Sequence, residues 1–101
     1  MKKISVVVLA KNEKDELENC LKSVSFASEI IIIGDNLGNE TKLIARKYNA
    51  KIYKRALNSD FATQRNFGME KTTGNWVLFV DADEAVSLAL KEEILKEIQP
   101  S

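Results

Sequence analysis

Three acids close an otherwise apolar run at Trp76-Val77-Leu78-Phe79-Val80-Asp81-Ala82-Asp83-Glu84. Carboxylates are hard oxygen ligands, suited to Mg²⁺ or Mn²⁺ rather than to zinc, which favours Cys and His. Mg²⁺ commonly takes only one or two carboxylates and fills its shell with water and phosphate oxygens. Asp81 and Asp83 therefore suffice as metal ligands if the bound molecule is a nucleoside diphosphate. A plainer reading makes them the opening residues of the next helix, where acids and caps are common. The chain contains no histidine, so any acid–base or metal chemistry falls to carboxylates.

Two further residues have a chemical reading beside a structural one. Arg65 suits a phosphate or the face of a base, and equally suits a solvated position on a helix. Asp35 can accept hydrogen bonds from a base or ribose, and can equally be a turn residue. No phosphate-cradling glycine motif follows the first apolar run, so neither a dinucleotide-binding fold nor a P-loop is supported. A receiver-type phosphorylation domain wants an acidic pair after its first strand, where this chain has Lys11-Asn12-Glu13.

The elements that must position these residues alternate. Ile4 to Leu9 and Glu29 to Ile33 are continuous β-branched runs, the pattern of strands covered on both faces. Between them Leu17, Cys20, Leu21 and Val24 recur at helical spacing. Asn39 is placed to cap a helix whose apolar face is Leu43, Ile44 and Tyr48. Asn39-Glu40-Thr41 also spells a glycosylation sequon, taken as chance. A short strand is expected at 51–53 and a helix over 61–70. Within that helix Gly68 costs about 1 kcal/mol relative to Ala, often the mark of a close approach. Leu90, Ile94 and Ile98, flanked by Leu88 and Leu95, predict a last amphipathic helix. The alternation predicts an α/β fold: three α/β/α layers around a mainly parallel sheet of about four strands, with right-handed crossovers. Ligands of such sheets bind beyond the carboxyl ends of the strands. The loops after Leu9, Ile33 and Val80 should then face one crevice.

At 101 residues, 45% hydrophobic and 30% charged, the chain fits one small globular domain. Fifteen basic residues balance fifteen acidic ones, without the basic and aromatic interleaving of a nucleic-acid binder, so nucleic acid is not an expected partner. A single cysteine, Cys20, suits a reducing compartment. No apolar stretch reaches the roughly 18 residues of a membrane span. The short, largely β-branched run at 4–9 reads as a strand rather than a leader. These features predict a cytoplasmic protein, with room for peripheral association at the inner membrane.

Four motifs in order carry a resemblance: Val6 to Glu13, Glu29 to Asn36, Gln64-Arg65-Asn66, and Gly74 to Glu84. Together they resemble the start of a family 2 glycosyltransferase with the Rossmann-like GT-A fold, and more narrowly the bacterial branch that includes lipopolysaccharide-core β-glucosyltransferases. The resemblance implies a half-domain that binds a nucleotide-sugar, UDP-linked, for transfer to a cell-surface glycan or lipid. It places Ala10, Lys11 and Glu13 in the nucleoside pocket, Asp35 on the uracil, and Gln64, Arg65 and Asn66 near base and phosphate. It puts Asp81 on the ribose and metal, and makes Asp83 the direct ligand of Mg²⁺ or Mn²⁺.

Two departures from the family pattern stand out. Gly34 occupies a position that usually holds Asp, leaving Asp35 as the carboxylate there. Family members also run on into an acceptor-binding half that carries the catalytic base. Residues 1–101 are thus expected to be a donor-binding domain cut short of that half, with Glu92, Glu93 and Glu97 as solvent-facing charges rather than the base. The alternative is a non-catalytic nucleotide-sugar-binding or interaction module. Either way the last strand is expected to leave an edge and face open to self-association or to a companion chain.

Overall fold

In the computed structural model, which describes residues 3–10, 14–34, 37–55 and 61–98, the run beginning at Ile4 forms the central strand β1 (Ile4–Ala10). It is followed by α1 (Lys14–Ser23), β2 (Glu29–Gly34), α2 (Asn39–Lys47), β3 (Lys51–Lys54), α3 (Phe61–Glu70), β4 (Trp76–Asp81) and α4 (Leu88–Ile98). The strands form one sheet in the order β3-β2-β1-β4, every pair parallel.

The uninterrupted apolar runs are explained by cover on both sides. Val6, Val8, Ala10, Ile30 and Ile32 face α1 and α2 in the larger core, with Leu17, Cys20, Leu21, Val24 and Ala45. Val7, Ile31 and Ile33 face the other way, against Phe67 of α3 and the half-buried Val77 and Phe79. The chain steps from β1 to β2 to β3 in one direction, then reverses past both to β4. Crossovers of one hand must then place α3 opposite α1 and α2, as observed. The reversal point lies between β1 and β4, and both end in residues of interest: Leu9 pairs with Asp81, and Ala10 with Gly34.

Helix α2 departs from expectation at its start and, at Leu43, in its buried face. Its N-cap is Gly38, without a side-chain cap, and Asn39 is already helical. Thr41 and Ala45 are buried, with Ile44 and Tyr48 packed beside them. That i, i+3, i+4, i+7 set leaves Leu43 on the outer face, 63% exposed. The sequon's Thr41 is thereby enclosed. The helix ends in a Schellman motif, with Ala50 N–H donating to Ala45 O at 2.9 Å and Asn49 N–H to Arg46 O at 3.1 Å. Asn49, at φ 61°, supplies the left-handed residue that motif needs.

Gly68 marks a close approach of helix to sheet. A Cβ there would lie 2.7 Å from Val7 Cγ1 and 2.9 Å from Ile33 Cδ1, so glycine lets α3 sit low on the sheet. At the amino ends of the strands Glu29 ties three segments together. Its carboxylate accepts hydrogen bonds from Ser5 Oγ (2.8 Å), Thr73 N–H (2.9 Å) and Thr73 Oγ1 (3.3 Å). Gly74 N–H in turn donates to Ser5 Oγ at 3.0 Å. Burial pushes the Glu29 carboxyl up, but the hydrogen bonds from Thr73 and Ser5 outweigh it and hold the group below the ordinary carboxylate range.

Helix α4 packs only along part of its length. Leu88 is 69% exposed and Leu90 43%. Leu90 and Ile94 face Ile4, Trp76 and Leu78 across a groove of about 430 Å³. Among the described residues β4 has no partner on its outer edge, and no helix is long and apolar enough to cross a membrane.

Candidate functional site

The acids do not begin a helix. Asp81 is the last residue of β4, and α4 starts only at Leu88, where Ser87 caps it by accepting Leu90 N–H on its Oγ at 3.1 Å. Between them, residues 81–84 form a turn closed by Glu84 N–H donating to Asp81 O at 2.9 Å. Glu84 closes it again with its side chain, Oε1 accepting Asp81 N–H at 3.0 Å. Ala82 points inward and is buried, whereas Asp81, Asp83 and Glu84 are exposed.

Neighbouring elements fix this turn in place. Ala82 N–H continues the sheet by donating to Leu9 O at 3.0 Å. Cys20 Sγ lies 3.8 Å from the Asp81 carbonyl it donates to. Val86 N–H donates to Ser23 Oγ at 2.9 Å, and that hydroxyl donates to Cys20 O at 2.7 Å. The end of α1 and the end of β1 thus clamp the acid turn from below. Cys20 registers the arrangement: burial, then the charges of Glu84, Asp83 and Asp81, push its thiol up to about 11, so it packs here as an inert group.

Arg65 of α3 reaches the same neighbourhood. Its guanidinium lies 5.9 Å from the centre of the Phe79 ring. Phe79 and Asp81 are two residues apart on β4 and so share a face of the sheet. Arg65 thus lies on the sheet face that Phe79 and Asp81 share, toward the carboxyl end of the switch-point strands, the place where open α/β sheets bind ligands. Asn66 is exposed on the same helix, about 100° further round and not on the face of Arg65.

Ala10, expected in the nucleoside pocket, is the buried last residue of β1. Lys11, Glu13 and Asp35, with the side chain of Gln64, lie outside the described residues. Gly34 is described, and it has no room for a side chain: a Cβ would stand 2.8 Å from Ala10 O and 2.9 Å from both Leu37 methyls. Among the described residues no group of three or more Asp, Glu, Cys or His side chains forms a metal cage. Two exposed, hard carboxylates on a rigid turn instead fit a cation that takes its other ligands from water and phosphate. Sequence reasoning missed the clamp itself. Glu84 showed only as a third acid, and Ser23 gave no signal at all.

Residues 5–100 match the family described as Glycosyl transferase family 2. The chain is 32% identical over 95 residues to an uncharacterized glycosyltransferase of Rickettsia typhi, covering 93% of this chain and 32% of that protein. It is 34% identical over 102 residues to the uncharacterized glycosyltransferase YibD of Escherichia coli, covering 92% of this chain and 29% of that protein. The chain therefore spans about a third of the length of these curated relatives. Among solved structures, glucosyl-3-phosphoglycerate synthase from Mycobacterium tuberculosis, in complex with Mn²⁺, UDP and glucosyl-3-phosphoglycerate, superposes with a TM-score of 0.58. That match is at 24% identity over 83% of this chain and 36% of the synthase. A mannosyltransferase from Pyrobaculum calidifontis, in complex with GDP-Man and Mn²⁺, superposes at 0.67 with 18% identity, over 83% of this chain and 28% of that one. The shared architecture is the GT-A fold of these transferases.

Proposed function

The chain belongs to glycosyl transferase family 2, and from that premise we propose that it binds the diphosphate of a nucleotide-sugar donor through a divalent cation, Mg²⁺ or Mn²⁺, held by Asp83 and Asp81. The observation that carries this reading is the exposed Asp81 and Asp83 pair, fixed by β1 and α1 on a two-way-closed turn at the switch point of the sheet. Mn²⁺ with UDP in one structural neighbour and with GDP-Man in another supports it. When bound, the cation supplies Lewis-acid neutralisation of the charge that develops on a departing diphosphate.

This chain's own residues then divide the work. Asp83 holds the cation, and Asp81 shares it while accepting from the ribose. Arg65, kept beside β4 by Phe79, offsets phosphate charge. Lys11 and Glu13, which follow the buried Ala10, are assigned to the nucleoside pocket, and Gln64 with Arg65 to base and phosphate, whereas Asn66 stands on another face of α3. The crowding at Gly34 leaves Asp35 as the carboxylate that reads the base, which we take to be uracil. The acceptor, a cell-surface glycan or lipid, and the base that deprotonates it belong to the remaining two-thirds of the relatives' length. Donor binding is then the part of the reaction that residues 1–101 perform. The open edge of β4 makes a second copy or a companion chain its natural cover; a clean monomer by light scattering at high concentration removes the second-copy reading.

Titrating the protein with UDP-glucose, with and without Mn²⁺, tests the site. Mn²⁺ should tighten donor binding, and Asp83→Ala should cancel that gain by about tenfold or more. Donor affinity indifferent to Mn²⁺, or unmoved by Asp83→Ala, overturns the proposal. GDP-mannose titrated in parallel reports whether uracil is the preferred base.

A further inference from the structure

The charges that the donor site does not use gather at the other end of the sheet. A cavity of about 700 Å³ opens there, among the segments entering β1, β2 and β3 and the outer side of α2. Lys3, Lys42, Arg46 and Lys51 line it, against one carboxylate, Glu29. Lys42 and Arg46 are four residues apart and share a face of α2, while Lys3 and Lys51 arrive from the starts of two strands. Four cations from three separate parts of the chain thus converge on one concavity.

Glu29 offsets only one of the four positive charges, acting on Lys51. Both of its oxygens already accept hydrogen bonds, three in all, from Ser5 and Thr73. Counting it fully, the lining still carries a formal +3, from four cations less one carboxylate. The chain as a whole carries formal charge zero, so the balancing acids lie elsewhere, notably at residues 81–84 and along α4. The macrodipole of α2 accounts for Arg46, which sits in its last turn. It does not account for Lys3, Lys42 or Lys51.

We propose that this cavity binds a small polyanion carrying two or more phosphate groups. Its volume falls in the range of small-molecule sites. Its cations combine the forked guanidinium of Arg46 with ammonium point charges, the two ways proteins hold phosphate. The lining includes no aromatic side chain, so it offers no stacking platform for single-stranded nucleic acid. An apolar floor of Ile30, Ala45 and Ile52 gives the non-phosphate part of such a ligand somewhere to rest. Strand β1 is seven residues long, which separates this cavity from the Asp81 turn by about 20 Å, too far for one diphosphate to touch both. Two sources supply this chemistry, a free polyphosphoanion and the two-phosphate headgroup of a cardiolipin-type phospholipid.

Calorimetric titration with inorganic pyrophosphate in EDTA, which removes metal-bridged binding at the carboxylate turn, is the test. Saturable binding is expected, weakened at least about tenfold in Lys42→Glu/Arg46→Glu, the cost of reversing charge-assisted contacts. Lys96→Glu on α4 should leave it unchanged. All these positions are exposed, and a thermal melt confirms that each variant folds. Binding to cardiolipin-containing vesicles but not phosphatidylcholine vesicles, lost in the double variant and displaced by pyrophosphate, identifies the lipid as the source; pyrophosphate binding without vesicle binding identifies the free anion. No binding in either arm, or equal weakening by Lys96→Glu, overturns the proposal.

Discussion

Replacing Gly68 by Ala sets two known effects against each other. Alanine gains about 1 kcal/mol of helix propensity over glycine at an internal helical position. Against that, the new methyl must enter space 2.7 Å from Val7 Cγ1 and 2.9 Å from Ile33 Cδ1. The Ile33 methyl ends a flexible side chain and can turn aside. Val7 cannot, because it is β-branched, stiff at χ1 and fully buried on the central strand. Overpacking of this kind costs about 1–3 kcal/mol. The clash therefore wins, for a net loss of about 1 kcal/mol, or about 4–8 °C in Tm for a domain of this size. Urea denaturation of Gly68→Ala, Val7→Ala and the double variant isolates the contact. Removing the Val7 methyls should relieve the clash, giving a favourable coupling of about 1–2 kcal/mol in the cycle. Because α3 also carries Arg65 over Phe79, lifting the helix should weaken donor binding as well. A Gly68→Ala variant that gains the full propensity increment, with no coupling to Val7, refutes the close packing of α3 on β1.

Two other perturbations probe the two ends of the sheet. Glu84→Ala removes the acceptor of Asp81 N–H and should weaken Mn²⁺-dependent donor binding by about threefold to tenfold, the worth of one hydrogen bond. Glu84→Gln keeps a carbonyl oxygen at that position and should retain most of the affinity; equal losses in both would make the charge, not the turn, the important property. Glu29 is held below its ordinary range in the folded protein, so its contribution to stability is present above the unfolded value, about 4.3. That contribution is lost as pH falls through the lower folded value. Glu29→Gln should therefore be less stable by about 1 kcal/mol at pH 7, with the gap closing toward pH 3 in urea melts; a gap constant with pH would show that its ionisation is not what ties Ser5 to Thr73.

Much of this fold was legible because its signals are local and redundant. The β-branched runs at Ile4 and Glu29 and the 17, 20, 21, 24 spacing each require burial that only a covered parallel sheet supplies. The buried face of α2 was legible only in part. Ile44 and Tyr48 pack against the core as their hydrophobicity suggests, but Thr41 and Ala45, less apolar than Leu43, face it while Leu43 does not. Gly34 was read as a departure from a family pattern, whereas its reason is steric and tertiary: the Ala10 carbonyl and the Leu37 side chain fill the space. The clamp under the acid turn was invisible for a similar reason, since Ser23 and Cys20 reach it across 63 and 61 residues.

That clamp bears on how donor binding and transfer are divided along the chain. Among the described residues, the hydrogen bonds that hold the turn of Asp81 and Asp83 come from β1, α1 or the turn itself, and one of them reaches as far as Val86. Helix α4 comes after that anchor and leaves Leu88 and Leu90 largely in solvent, so it adds little to the geometry of the turn. The carboxylates are preorganised by a parallel strand and the end of one helix. Under the proposed function, donor binding then rests on β1, a strand buried along nearly its whole length.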